Sequence, residues 1–133
     1  MKKISKMSKH AVCEKTRVIG SNKNVIENYF VVDIGPKTVA LFTATLNKCK
    51  TVFWNGPMGV YEIPQFARGS IAMAQLLAGL KASTVIGGGS TADMVYDMKL
   101  ADKMTFVSTG GGASMSFLSG EVLPGVEALS NKK

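Results

Sequence analysis

The chain has 133 residues, which is enough for one domain with a single hydrophobic core and too few for two large lobes. Hydrophobic residues make up 46% of it and charged residues 19%, and the mean hydropathy of +0.16 excludes a disordered polar segment. No apolar run is long enough for a signal peptide or a membrane span, so we expect a soluble intracellular protein.

The net charge of +7 comes mainly from the beginning of the chain, because seven of the 16 Lys and Arg lie within residues 1–23. This part shows neither helical nor strand periodicity, so we divide the chain near Phe30 into a basic irregular segment, residues 1–30, and a globular domain, residues 31–133. A basic segment can bind nucleic acid, but no aromatic residue is interleaved with it before Tyr29. Solvated lysines are the more common explanation, and nucleic acid is not favoured as a partner.

Cysteine and histidine are too sparse for a metal centre or a Cys–His catalytic pair. Cys13 and Cys49 are far apart and form no CxxC, and His10 is the only histidine. The sequence therefore predicts no metal-ligating residues, and it favours two reduced thiols in a reducing compartment.

From Phe30 onward, apolar runs, glycine turns and amphipathic helices alternate, as is typical of parallel βα units. The predicted strands are TVFWN (51–55), STVIGG (83–88) and MTFVS (104–108). The fold class is α/β, a partial Rossmann-like three-layer sandwich with about three parallel strands and flanking helices.

The predicted helices lie between these strands and after the last one. The first covers residues 36–48, with Pro36 at an early helical position. The second covers residues 63–80 and is weakened in its middle by Gly69. The last two should begin around Ser90 or Thr91 and around Ala113, and the tail LPGVEALSNKK should form a turn and a closing segment.

Two segments, VIGGGST and VSTGGGAS, join a strand to a helix through a glycine triplet. Backbone N–H groups at such a helix N-terminus can face an anion with no Cβ in the way. One triplet alone more often marks a tight turn, whereas two that end neighbouring strands favour a phosphate site. The P-loop pattern and the GxGxxG fingerprint are both absent, so an ordinary nucleotide-binding motif is excluded.

The motifs TVFWNGPMGVYE, TVIGGGSTA, ADKMTFVSTGGGAS and LPGVEAL resemble, in order and spacing, the C-terminal motifs of phosphoglycerate kinase. The upstream segment VDIGPKT resembles the family segment that precedes them. The resemblance extends over residues 31–131, and it identifies the chain as a member of that family, with part of the nucleotide-binding C-terminal domain.

The resemblance implies a role for each motif. Asn55 would approach the nucleotide phosphates, Pro57 and Val60 would pack near the adenine, and Glu62 would hydrogen-bond the ribose hydroxyls. One phosphate loop would consist of Gly87, Gly88, Gly89, Ser90 and Thr91. The catalytic group, Gly110, Gly111 and Gly112, would line the path of the transferred phosphoryl group. For Trp54 and Tyr61 we favour core packing, because large aromatic residues usually serve burial.

The family reaction transfers a phosphoryl group reversibly between 1,3-bisphosphoglycerate with ADP and 3-phosphoglycerate with ATP, aided by magnesium, as a step of glycolysis. Ser90 departs from the family pattern GGGDT, whose aspartate helps to hold the magnesium-nucleotide. Val31 and Val32 stand near a position where the family usually has glycine, and they would crowd the base. We therefore expect weak or lost binding of Mg-ATP and Mg-ADP.

The third departure is the lack of the substrate domain and of the early strands of the nucleotide domain, so we expect no 3-phosphoglycerate site and negligible kinase activity for the chain alone. The alternative function is a non-catalytic interaction module, which would self-associate or pair with a full-length homologue through an exposed sheet edge. The family suggests the cytoplasm, with the plastid as the alternative compartment.

Overall fold

The computed structural model of the protein describes Val18 and residues 30–129. These residues form helices α1 (Pro36–Leu46), α2 (Arg68–Gly79), α3 (Gly89–Asp97), α4 (Gly111–Leu118) and α5 (Pro124–Glu127), and strands β1 (Thr51–Asn55), β2 (Ser83–Gly87) and β3 (Phe106–Ser108). Single 3₁₀ turns precede α2, at Pro64–Phe66, and β3, at Ala101–Lys103. Apart from Val18 and Phe30, the predicted basic segment, with His10 and Cys13, lies outside the described residues.

The strands form a three-stranded parallel sheet in the order β1-β2-β3. Asn55 lies opposite Gly87 in the first pair, and Gly87 lies opposite Ser108 in the second. The carboxyl ends of all three strands therefore meet at one edge, where parallel sheets bind ligands. The predicted α/β class, with about three parallel strands and flanking helices, is confirmed.

The hydrophobic core is built by one face of the sheet together with α2 and α3. Its buried members are Val52, Trp54, Met73, Ala74, Leu77, Ile86, Met94, Val95 and Met104. Trp54 is 6% exposed, and Tyr61 packs against this cluster from its margin, so the prediction of core packing is confirmed for both. Burial of one large aliphatic side chain such as Leu77 stabilises the fold by roughly 1.5–3 kcal/mol.

Helix α2 begins later than predicted, at Arg68, because the preceding residues form a separate 3₁₀ turn. Gly69 therefore lies in the first turn of α2, and its predicted place in the middle of the helix was wrong. Its N–H donates to Asp33 Oδ2 at 2.9 Å, and a Cβ at this position would collide with the Asp33 side chain. The carboxylate of Asp33 thus satisfies an N–H group of the helix terminus and complements its dipole.

Strand β3 begins at Phe106, two residues later than predicted. Met104 ends the 3₁₀ turn, where its N–H donates to the carbonyl of Ala101. Thr105 pairs with β2 through side chains, because the Thr84 N–H donates to Thr105 Oγ1 (3.0 Å) and the Thr105 N–H donates to Thr84 Oγ1 (3.2 Å). These two bonds extend the contact between the strands without a regular ladder.

The last helices also differ from prediction at their boundaries. Helix α3 begins at Gly89 and α4 at Gly111, each slightly earlier than expected, and the predicted closing segment contains the short helix α5. Glycines of both triplets therefore occupy the first turns of helices. No helix among the described residues has the length and apolar character needed to cross a membrane.

Candidate functional site

Two helix N-termini open at the carboxyl edge of the sheet. Helix α3 follows the N-cap residue Gly88 and α4 follows Gly110, and no side chain in the described part of the chain caps either terminus. Gly88 has φ +90°, a conformation that side-chain-bearing residues rarely adopt. Because the first N–H groups of a helix have no intrahelical acceptor and carry the positive end of its dipole, both termini favour an anion.

The two termini lie against each other, with the side chain of Asn55 beside both. A Cβ placed on Gly111 would lie 3.0 Å from Gly88 Cα and 3.6 Å from Asn55 Oδ1. A Cβ on Gly88 would lie 2.6 Å from the same amide oxygen. The structure thus brings together Asn55, Gly88 and Gly111, which the sequence had assigned to three separate motifs.

The remaining glycines of the triplets differ in what surrounds them. A Cβ on Gly87 would lie 2.6 Å from Phe53 Cζ, so this glycine makes room for an aromatic ring of β1. Among the described residues, a Cβ on Gly89 or on Gly112 would meet no heavy atom within 4 Å. Packing within residues 30–129 therefore does not require glycine at these two positions, whereas a ligand that approaches the backbone closely would.

The loop between β3 and α4 is braced from within. Ser108 Oγ accepts a hydrogen bond from the Gly110 N–H at 3.2 Å and shares another with Ser114 Oγ at 3.2 Å. The Gly111 N–H donates to the Thr109 carbonyl at 3.0 Å. These internal bonds fix the path of the loop and occupy the N–H groups of Gly110 and Gly111. The sequence analysis did not predict the hydrogen bond to Ser114.

The loop after β1, residues 56–60, is anchored to three different parts of the fold. Its N–H groups donate from Gly56 to Thr91 Oγ1 (2.9 Å), from Met58 to Ser70 Oγ (2.9 Å) and from Val60 to the Val32 carbonyl (3.0 Å). Thr91 and Ser70 are both fully buried. Pro57 and Val60 are half-buried in this anchored loop, and Val32 lies beside Val60 through the hydrogen bond from the Val60 N–H. Their places near the adenine stay a prediction. Val31 is 72% exposed.

Glu62 lies elsewhere, at a cleft of about 430 Å³ between α2 and α3. The cleft is lined by Tyr61, Glu62, Ala67, Ile71, Met94, Asp97 and Met98. The glycine triplets and Asn55 do not line it, so the structure does not join Glu62 to them in one cavity. Burial, followed by the negative charges of Glu62, Asp93 and Asp97, raises the pKa of the Tyr61 hydroxyl above its ordinary value of 10.0.

Ser90 and Asp93 are exposed on the first turns of α3. Ser90 is therefore accessible at the helix terminus, while Asp93 lies close enough to Tyr61 to act on its ionisation. Within residues 30–129, no three His, Cys, Asp or Glu side chains come together as a group that could hold a metal ion. Cys49 is half-buried in the turn between α1 and β1, and it forms no disulfide within the described residues.

Residues 3–121 match the family model described as phosphoglycerate kinase. The chain belongs to the phosphoglycerate kinase family. The family match begins at residue 3 and so includes most of the basic segment, and the division of the chain near Phe30 stays a prediction.

Individual phosphoglycerate kinases agree with this assignment. The chain is 50% identical over 127 residues to the phosphoglycerate kinase of Clostridioides difficile, covering 95% of this chain and 32% of that protein. It is 51% identical over 117 residues to the phosphoglycerate kinase of Clostridium novyi, covering 88% of this chain and 29% of that protein. The chain thus spans about a third of the length of the curated relatives it matches.

Solved structures extend the similarity to the fold. The phosphoglycerate kinase from Pyrococcus horikoshii superimposes with a TM-score of 0.70 at 37% identity, over 77% of this chain and 25% of that one. The phosphoglycerate kinase from Coxiella burnetii gives a TM-score of 0.67 at 40% identity, over 73% of this chain and 25% of that one. The fold of the described residues is therefore similar to part of a phosphoglycerate kinase.

Proposed function

We propose that this phosphoglycerate kinase-like chain binds the phosphates of ADP or ATP at its two glycine loops. The proposal is supported chiefly by the contact between two uncapped helix N-termini beside the amide of Asn55. Each terminus carries the equivalent of roughly half a positive charge, and their proximity adds the two fields. The open space in front of Gly89 and Gly112 leaves room for a phosphate to reach the backbone.

The residues fit the phosphates of a nucleotide better than they fit its magnesium ion. Backbone N–H groups and the Asn55 amide can donate hydrogen bonds to phosphate oxygens. Magnesium prefers carboxylate oxygens, and the residue at the accessible position 90 is a serine with a neutral hydroxyl. When bound with a nucleotide, magnesium would neutralise charge on the phosphates. We expect weaker magnesium-nucleotide binding than an aspartate at position 90 would give.

The proposed reaction is that of the family, phosphoryl transfer between ATP and 3-phosphoglycerate as a step of glycolysis, in the cytoplasm or alternatively in a plastid. In it, the loop of Gly110, Gly111 and Gly112 would direct the helix α4 terminus at the transferred group. Holding two substrates together can supply about 7–11 kcal/mol of the barrier reduction. A chain that spans about a third of its relatives is therefore proposed to have negligible kinase activity alone.

Calorimetric titration with magnesium-ADP tests this function, with wild type, Ser90→Asp and Ser83→Asp compared. Ser83 is an exposed serine at the opposite end of β2, so its variant controls for the added charge. We expect Ser90→Asp to bind magnesium-ADP about tenfold more tightly, equivalent to about 1.4 kcal/mol, and Ser83→Asp to bind like wild type. If a folded chain releases no heat in any variant, the proposal is wrong.

A second candidate function, a non-catalytic interaction module, is favoured by the sheet edge. Among the described residues β1 pairs only with β2, so its outer edge has no strand beside it. Such an edge can accept a strand of a second copy or of a full-length homologue. Size-exclusion chromatography at two concentrations should then show association that grows with concentration. A sharp monomer at both, with cooperative melting, would contradict this candidate.

A further inference from the structure

We infer that Thr91 is a positioning residue: its buried hydroxyl holds the turn after β1 so that Asn55 stays beside the two glycine loops. The inference rests on the proposed nucleotide site. It adds the interaction that holds Asn55 in place relative to the two glycine loops. It concerns the Thr91 side chain, which the family resemblance had grouped with the phosphate-binding residues.

The contacts of Thr91 turn its side chain toward the protein. The residue is 0% exposed, and its Oγ1 accepts the Gly56 N–H at 2.9 Å. The same oxygen would lie 3.8 Å from a Cβ placed on Gly88. The hydroxyl therefore sits directly beneath the first glycine loop and bonds to the neighbouring one, with no surface left for a ligand.

The turn that Thr91 holds depends on a glycine conformation. Gly56 has φ +92°, and it follows Asn55 directly. An N–H group that loses its acceptor in a partly buried place is costly, so without the hydroxyl the turn would rearrange. Because Asn55 is the adjacent residue, such a rearrangement would move its amide away from Gly88 and Gly111.

Thr84 offers a matched control in the same sheet. It is 1% exposed, and its Oγ1 likewise accepts a backbone N–H, that of Thr105, at 3.2 Å. It lies in the amino-terminal half of β2, away from the carboxyl edge. Replacing either threonine with valine removes one buried acceptor at nearly constant volume, and only the Thr91 variant affects the site.

The first measurement is amide hydrogen exchange, which needs no nucleotide. We expect Thr91→Val to lower the protection of the Gly56 amide at least tenfold, and Thr91→Ser, which keeps the hydroxyl, to restore most of it. Thr84→Val should instead lower protection at Thr105 and leave Gly56 unchanged. If Thr91→Val does not fold, Thr91→Cys, with a weaker acceptor of similar size, replaces it. Unchanged Gly56 protection in the Thr91 variants would overturn the inference.

The second measurement is ADP affinity in the same variants. We expect the dissociation constant to rise at least tenfold in Thr91→Val, to return close to the wild-type value in Thr91→Ser, and to stay constant in Thr84→Val. An equal affinity of the two valine variants would overturn the inference, since Thr91 would then be only structural. If wild type binds no ADP, the proposed function fails, while Gly56 exchange still decides whether the hydroxyl holds the turn.

Discussion

Replacement of Gly89 by alanine tests whether a ligand approaches the first glycine loop. A Cβ at this position meets no heavy atom of the described chain within 4 Å, and the residue is exposed at the start of α3. Alanine is a better helix former than glycine by up to about 1 kcal/mol in a helix interior. At the first helical position we expect on the order of half of that, so Gly89→Ala should be as stable as wild type or slightly more stable.

Phosphate binding should change in the opposite direction. An oxygen that accepts the Gly89 N–H would lie about 2.9 Å from its nitrogen, close to the place that a new methyl group occupies. One charge-assisted hydrogen bond stabilises a complex by about 1.5–3 kcal/mol. Its loss corresponds to a dissociation constant for ADP that is raised about ten- to a hundredfold.

The assay combines thermal unfolding with calorimetric titration by ADP, and Gly79→Ala is the control. Gly79 is the last residue of α2, is exposed, and also has open space where a Cβ would be. Its variant should share the small stability change and keep the affinity of wild type. Wild-type affinity in Gly89→Ala would refute the reasoning, because the glycine would then serve only as a turn residue.

Three further experiments test individual contacts of the fold. Asp33→Ala removes the acceptor of the Gly69 N–H and should lower the unfolding free energy by about 1–2 kcal/mol, measured by urea titration. An unchanged urea midpoint would contradict this role of Asp33. Gly87→Ala forces a Cβ against the Phe53 ring and should lower the unfolding free energy by about 1–3 kcal/mol. A second substitution in the same chain, Phe53→Leu, should restore part of this loss. If the losses of the two substitutions simply add, the contact is contradicted. The pKa of Tyr61 is raised in the folded protein, so its neutral form contributes stability that is fully present below pH 10. This stability is lost as the pH rises through the raised pKa. The unfolding free energy should therefore fall less steeply above pH 10 in Tyr61→Phe than in wild type. Equal slopes in the two proteins would contradict the raised pKa.

The alternation of apolar runs, glycine turns and amphipathic helices was sufficient to predict the α/β class of the fold. The strand predicted at TVFWN coincides with β1, because an apolar run followed by a glycine turn is a signal that neighbouring residues carry by themselves. The start of α2 was wrong by several residues, because a proline suits the first turn of either helix type and the deciding contact comes from Asp33. That contact spans 36 positions in sequence, beyond the reach of any local pattern.

The sequence named Asn55, Gly88 and Gly111, which the structure brings together, but it did not indicate the contacts that support them. The bond from Gly56 to Thr91 joins positions 35 apart, and the bond from Met58 to Ser70 joins a loop to a helix whose start had been misplaced. A buried serine or threonine that braces a loop has the same sequence appearance as one that binds a ligand. Only its partners in three dimensions separate the two roles.

The glycines of the first triplet also differ in their roles, and only the structure separates them. In the sequence, the triplet at residues 87–89 consists of three equivalent residues. In the structure, Gly87 is required by the neighbouring Phe53 ring and Gly88 by its positive φ, whereas no contact within the described part of the chain requires glycine at position 89. Gly112 is the corresponding residue of the second loop, with open space in front of it. Since glycine at the start of a helix lowers stability relative to alanine, the proposed phosphate site would account for glycine at both positions, and the nearby helix termini would favour an anion there.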